Sequence, residues 1–227
     1  MNNKTAILIF ANSAEFEASQ KPFQSSKPLF DALNKQTIKV VSKTGLPYFL
    51  CSEKNQTGST FGTRFTNAIQ SIYDKGFENV VTIGNDTPHL QTKHILKAVT
   101  QLQEQNVVLG PSKDGGFYLM GLKKAHFNPE TFIKLPWQTS ILSRSISNIL
   151  RSKNIKLSFL EILSDIDTIS DVNAIIDSFK SISTTLKKHL QGYISVEKEI
   201  LTSQINAIDS FLLKLSFNKG SPLHLHL

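Results

Sequence analysis

The hexapeptide PSKDGG is all that separates the apolar run Val107–Gly110 from the next one, Phe117–Leu122. Parallel neighbours in a sheet need a connection of about a dozen residues, so this pair must be antiparallel or belong to a mixed sheet. The other apolar, β-branched runs are spaced far enough apart for helical crossovers. Thr5–Phe10, Pro47–Cys51, Val80–Gly84 and Ile155–Leu160 read as strands of that kind. Between them lie segments with helical period. Leu29, Leu33, Thr37, Val40 and Val41 share one face, opened by Pro28 and stopped by Gly45. Phe61, Phe65, Ala68, Ile69 and Ile72 share a second, ended by Gly76, and Thr92–Glu104 is a third helix. Gln138–Ser152 is a fourth, with Ile141, Leu142, Ile146 and Ile149 inward. Thr168 followed by Asp171 at N3 opens another. Strands alternating with helices predict an α/β fold, with a mixed, mostly parallel sheet flanked by helices.

From about Ser183 the alternation stops. Val196, Ile200, Ile208, Phe211, Leu212 and Leu215 mark an amphipathic helical extension, which divides the chain into residues 1–182 and 183–227. Such a face buries against the body or a second subunit, so a homodimer through the C-terminal helix is one expectation. The final SPLHLHL, with its two alternating histidines, is too poor in ligands for a metal site.

Composition excludes several classes. The net charge of +7 comes from 25 Lys and Arg against 18 Asp and Glu, but the lysines are scattered. Without an Arg-rich or aromatic-interleaved stripe, nucleic acid is not the expected partner. A basic surface does attract phosphorylated small molecules. No apolar run reaches membrane-spanning length, and the short run in MNNKTAILIFANSAEFE leads into acids rather than a cleavage site. The expectation is a cytoplasmic protein. The lone Cys51, within the apolar PYFLC, reads as a core residue in a buried strand.

The chemistry sits in loops that follow strands, where open α/β sheets bind ligands. Asp86 leaves its strand in GNDTP, with Asn85 beside it as a candidate substrate contact. A carboxylate there suits Mg²⁺ or Mn²⁺, which take carboxylate and phosphate oxygens. Asp165 and Asp167, in DIDT, alternate with Ile166 and so point to one side. They are the candidates to complete a metal site with Asp86. Asp114 precedes Gly115 and Gly116, which suit positive φ or a close approach to substrate, and Asp114 is a candidate base or sugar-hydroxyl acceptor. Gln56, Gly62 and Arg64 lie at a helix start, where N–H groups and a guanidinium favour phosphate. Trp137, in PWQT, is placed to pack over a base or sugar. Plainer roles stand beside these: an Asx-turn for Asp86, capping for Asp167, a hairpin turn for Asp114-Gly115-Gly116, and a core Trp137 with Thr139 as cap.

Read in order, GNDTP, GPSKDGGFYLMGL, PWQT and DIDTISDV resemble a bacterial family of GT-A-type transferases. The family is described as glycosyltransferase-like and named for its association with radical-SAM and selenium-related proteins. It is similar in fold to the nucleotidyltransferases that make molybdopterin guanine dinucleotide or guanylylate phospholactate. The resemblance covers roughly residues 5–182. It implies a Rossmann-like nucleotide-diphosphosugar transferase fold and Mg²⁺ or Mn²⁺ as cofactor. It also implies Asp86 with Asp165 or Asp167 as metal ligands, and Asp114, Gly115 and Gly116 near the substrate. The implied ligands are a nucleotide sugar or a nucleoside triphosphate, together with an acceptor. The expected activity is transfer from a nucleotide-activated sugar. Nucleotidyl transfer to a phosphorylated acceptor is the neighbouring alternative, and a catalytically silent binding protein is the third. One stretch departs from the family: its Pro-Gly and Lys-Thr-Arg loop is replaced here by Ala11–Lys21, which carries Glu15 and Glu17.

Overall fold

The computed structural model describes residues 4–20, 26–178 and 182–214, the side chains of 197 and 209–214 excepted. Lys21 and the SPLHLHL tail, like the side chains of Phe211, Leu212 and Leu215, lie outside the described residues. The strands are β1 (Thr5–Phe10), β2 (Tyr48–Cys51), β3 (Asn79–Ile83), β4 (Val107–Pro111), β5 (Phe117–Lys123) and β6 (Leu157–Phe159). They form one sheet of order β2-β1-β3-β5-β4-β6. β1 pairs in parallel with β2 and β3, and β6 in parallel with β4. β5 is antiparallel to both of its neighbours, as its short connection to β4 requires.

Helices cover both faces because successive strand residues point to opposite sides. On one face Ala6, Leu8, Val80, Met120 and Leu122 pack under α3 (Phe61–Asp74) and α6 (Leu142–Ser152), through Phe65, Ile69, Ile72 and Ile146. On the other, Ile7, Ile9, Val81, Ile83 and Leu119 meet α2 (Lys27–Ser42) and α4 (Thr92–Glu104) through Val40, Val41, Ile95 and Leu102. The outer side of α2 forms a third cluster, Leu29, Phe30 and Leu33, with Ile166, α7 (Ile169–Ile176) and the first turns of α8 (Thr184–Lys214).

Several expectations are corrected. β2 is the sheet's edge rather than a buried strand: Tyr48 is 42% and Leu50 50% exposed. Cys51 is half-buried and packs against the first cluster, and burial raises its thiol pKa. The stretch after β1 is not wholly irregular, since Ala14–Gln20 is a helix, α1. Glu15 and Glu17 in its first turn match the positive end of its dipole. A short helix α5 (Pro129–Ile133) was not anticipated, and its N-terminus is capped by Asn128. α6 begins at Leu142, not Gln138, because Gln138 takes φ 60° and turns the chain. Thr139 therefore bonds back to the Pro136 carbonyl instead of capping the helix. The capping box at Thr168 and Asp171 is present as expected, as is the Thr92–Glu104 helix.

Candidate functional site

A cleft of about 520 Å³ opens at the carboxyl ends of the like-directed strands β1, β3 and β4, beside the start of β5. Its floor is set by the turn after β3. There Asn85 is buried, its amide donating to Asn34 Oδ1 at 2.6 Å, which ties the loop to α2. The following backbone is held against the DIDT segment: Ile166 N–H donates to the Asp86 carbonyl at 2.9 Å. The Thr87 hydroxyl donates to Asp165 Oδ1 at 2.5 Å. Two loops far apart in sequence are thereby fastened together, bringing the charge of Asp86 to bear on Asp165.

The electrostatic result is measurable in Asp165. Its pKa is pushed up to about 7, by burial first and then by the charge of Asp86, with a smaller push from Asp114. The hydrogen bond from Thr87 pulls the other way and loses. A carboxyl whose pKa is raised by burial and by a neighbouring carboxylate marks a site short of positive charge. Asp167 lines the same cleft, as alternation with the buried Ile166 demands, but is exposed, and its N–H is taken by Asp171 Oδ2 at 3.1 Å. Asp165 is therefore the acid of DIDT that stands with Asp86.

Asp114 lies on the adjoining wall. Its Oδ1 accepts from Ser112 Oγ at 2.6 Å and from Gly116 N–H at 3.0 Å, so the hairpin-turn role is real. Gly115 has φ 93°, and a Cβ there would lie 2.0 Å from the Ser140 carbonyl oxygen. The close approach that glycine permits is to the protein's own backbone, not to substrate, and Gly115 does not line the cleft. Gly62 is corrected in the same way. It is buried in α3, and a Cβ would lie 2.5 Å from the Trp137 indole. Trp137 is half core and half wall: its Nε1 donates to the Phe132 carbonyl at 2.7 Å, its ring packs with Phe61, Phe65 and Phe117, and one side borders the cleft.

Arg64 enters the cleft from the first turn of α3. Its Nε donates to Gln56 Oε1 at 3.1 Å, which fixes the guanidinium plane. Among the described residues lining the cleft, Arg64 is the one cation, alongside Glu17, Asp86, Asp114, Asp165 and Asp167. Lys27 is not part of it, being paired with Glu15 at 2.7 Å. Sequence reasoning missed Asn12, Glu17, Ser112, Tyr118 and Gln138 in the wall. Asn12 and Ser112 follow β1 and β4 directly, and the same strand-end rule that picked out Asp86 applies to them. Glu17 faces the cleft only because α1 forms, where it accepts from Asn12 Nδ2 at 2.9 Å.

Among the described residues no three His, Cys, Asp or Glu side chains stand close enough to make a ready-built metal site. Asp86 and Asp165 fit a hard divalent cation nevertheless. Mg²⁺ is commonly held by one or two carboxylates plus substrate phosphate oxygens, and a dication removes the repulsion that raises the Asp165 pKa.

A mixed, mostly parallel six-stranded sheet flanked by helices, with its cleft at the carboxyl edge, is a Rossmann-like α/β fold of GT-A kind. Residues 40–139 match the bacterial family described as uncharacterized protein conserved in bacteria (DUF2064). A crystal structure of a candidate nucleotide-diphospho-sugar transferase from Desulfovibrio desulfuricans G20 superposes with a TM-score of 0.74 at 21% identity, covering 86% of this chain and 97% of that one. A synthase of 4-diphosphocytidyl-2C-methyl-D-erythritol from Anaerococcus prevotii gives a TM-score of 0.49 at 13% identity, over 84% and 97% of the two chains. Rv0371c from Mycobacterium tuberculosis, in complex with manganese, gives 0.47 at 10% identity, over 77% and 99%. No curated protein sequence matches the chain. No helix among the described residues is long and apolar enough to cross a membrane.

Proposed function

We propose that the chain is a divalent-metal-dependent transferase that uses a nucleotide-activated sugar, built on residues 1–182. The observation that carries this reading is the Asp86–Asp165 pair, fastened loop to loop, with the Asp165 pKa raised by burial and by its neighbour. The Desulfovibrio structure that shares this fold is described as a candidate nucleotide-diphospho-sugar transferase, a reading of the same kind. Bound Mg²⁺ or Mn²⁺ supplies neutralisation of the charge that develops on a departing diphosphate.

The protein's own groups do the rest. Asp86 and Asp165 would supply the cation's protein oxygens, and the cation's charge would favour the ionised form of Asp165. Arg64, oriented by Gln56, grips a phosphate oxygen through a charge-assisted bond. Without such cations the acid-rich cleft repels a diphosphate. Asp114 faces the acceptor: Ser112 and the Gly116 N–H hold Oδ1, which orients the carboxylate to take a hydroxyl proton. The Trp137 edge, among Phe61 and Phe117, offers a flat apolar surface for a sugar or base.

The test is a nucleotide titration with and without Mn²⁺. Metal raises affinity in the native protein, and Asp86→Asn abolishes that increment. A metal-independent affinity shared by both proteins sinks the assignment. Sugar nucleotides and nucleoside triphosphates are then supplied separately with candidate acceptors. Sugar transfer supports the proposal, and pyrophosphate release identifies nucleotidyl transfer instead.

A further inference from the structure

The first turns of α8 bury Leu186, Leu190 and Tyr193 against α2 and α7. From Ser195 to its end at Lys214 the helix runs on for about 30 Å, at ~1.5 Å per residue. Along this length Val196 is 43%, Leu201 53%, Ile205 58% and Ile208 59% exposed. Scattered exposed apolar side chains are ordinary, but Leu201, Ile205 and Ile208 are not scattered. Lys198, Leu201, Ile205 and Ile208 follow one another at steps of three, four and three. That is the a/d rhythm of a heptad, and the same spacing continues in the sequence to Leu212 and Leu215. A helix that only lines its own domain follows a period of ~3.6, whereas a strict period of ~3.5 keeps one seam turned toward another helix.

We propose that this stretch of α8 is a coiled-coil seam whose occupant is the same segment of a second copy, running antiparallel. The seam is self-complementary, so an identical helix supplies both the apolar residues and their spacing. An anionic membrane surface is the poorer fit. The sequence around the seam carries Glu197 and Glu199 against Lys198, where lipid-binding helices carry Lys and Arg. Lys198 also decides the direction. In a parallel, in-register pair it meets its own copy at a core position, like charge against like. In an antiparallel pair, where a positions oppose d positions, it lies across from Ile208, and Leu201 lies across from Ile205. Its stem then covers the seam while the ammonium reaches water.

Sedimentation velocity of the full chain over a concentration series tests the association. The native protein is expected to dimerise, and Leu201→Asp and Ile205→Asp each to weaken dimerisation by at least ~10-fold. Both side chains are more than half exposed, so thermal unfolding at concentrations low enough for the native chain to be monomeric should be unchanged in either variant. Direction is tested by oxidation in a Cys51→Ser background. A mixture of Leu201→Cys and Ile205→Cys chains should cross-link to each other, and Ile205→Cys alone should not. A native chain that stays monomeric throughout, or that sediments as a monomer with anionic vesicles, overturns the proposal. So does a Leu201→Asp chain that dimerises like the native one. Self-cross-linking of Ile205→Cys overturns the antiparallel direction.

Discussion

Gly115→Ala isolates what the DGG turn is for. The residue has φ 93°, and an added Cβ would sit 2.0 Å from the Ser140 carbonyl oxygen and 2.7 Å from its carbon. Neither contact can relax by rotating a side chain, because both partners are backbone. The loop and the 139–143 segment are further locked by Ser143 N–H donating to the Gly115 carbonyl at 3.1 Å, and by the Ser143 hydroxyl on the Gly116 carbonyl. Left-handed strain contributes roughly 1–2 kcal/mol, and forced separation of packed elements about 1–3 kcal/mol more. Restriction of the unfolded chain returns only about 0.4–1 kcal/mol. A net loss of about 2–4 kcal/mol follows, which for a chain of this size lowers Tm by roughly 5–15 °C. Gly116→Ala is the control, since its Cβ would lie 3.3 Å from Asp114 Oδ1 and Ser112 Oγ, a contact that small side-chain shifts absorb. Scanning calorimetry on the three proteins settles the matter. Because Asp114 rides on the turn, Gly115→Ala should also lose part of its nucleotide-dependent stabilisation. An unchanged Tm in Gly115→Ala, or a larger loss in Gly116→Ala, would falsify this account of the glycine.

Three further outcomes are expected. Asp165 has a folded-state pKa of about 7 against an ordinary 3.8, so its protonated form favours folding; that contribution is complete below the lower value and is lost as pH rises through the higher. Asp165→Asn, a mimic of the protonated acid, should in EDTA at pH 8 be more stable than the native protein by on the order of 2 kcal/mol, a gap that closes near pH 4. Denaturant melts at the two pH values decide it, and an equal gap at both defeats the reasoning. Arg64→Gln should weaken metal-nucleotide binding about 10–100-fold in calorimetric titration while leaving Tm in place, because a lost charge-assisted bond is worth about 1.5–3 kcal/mol; undiminished affinity removes Arg64 from the site. Thr168→Ala should lower stability by about 1 kcal/mol, read from the urea midpoint, since Thr168 Oγ1 and Asp171 Oδ2 satisfy each other's backbone N–H groups. No shift there means the cap is not contributing.

Local pattern was enough for the frame. β1 and α4 have the boundaries their apolar periods give, and β5 is antiparallel because PSKDGG is too short for anything else. The Thr168–Asp171 cap is a spacing rule, and alternation alone sends Asp165 and Asp167 into the cleft around the buried Ile166. Even the strand-end rule that singled out Asp86 and Asp114 is local, since it needs only an apolar run and the loop behind it. What the chain could not disclose by itself is who meets whom across long separations. Gly62 and Gly115 are both glycines at useful-looking turns, yet one makes room for Trp137 and the other for Ser140. Cys51 sits in as apolar a run as any core strand, and only the sheet order puts that strand at an edge. The choice between Asp165 and Asp167 rests on the Thr87 bond and on the charge of Asp86, some 78 residues away from Asp165 in the chain for Thr87. Periodicity records which way a side chain faces along its own element. The electrostatics of a site depend on the distances between elements, and packing alone sets those.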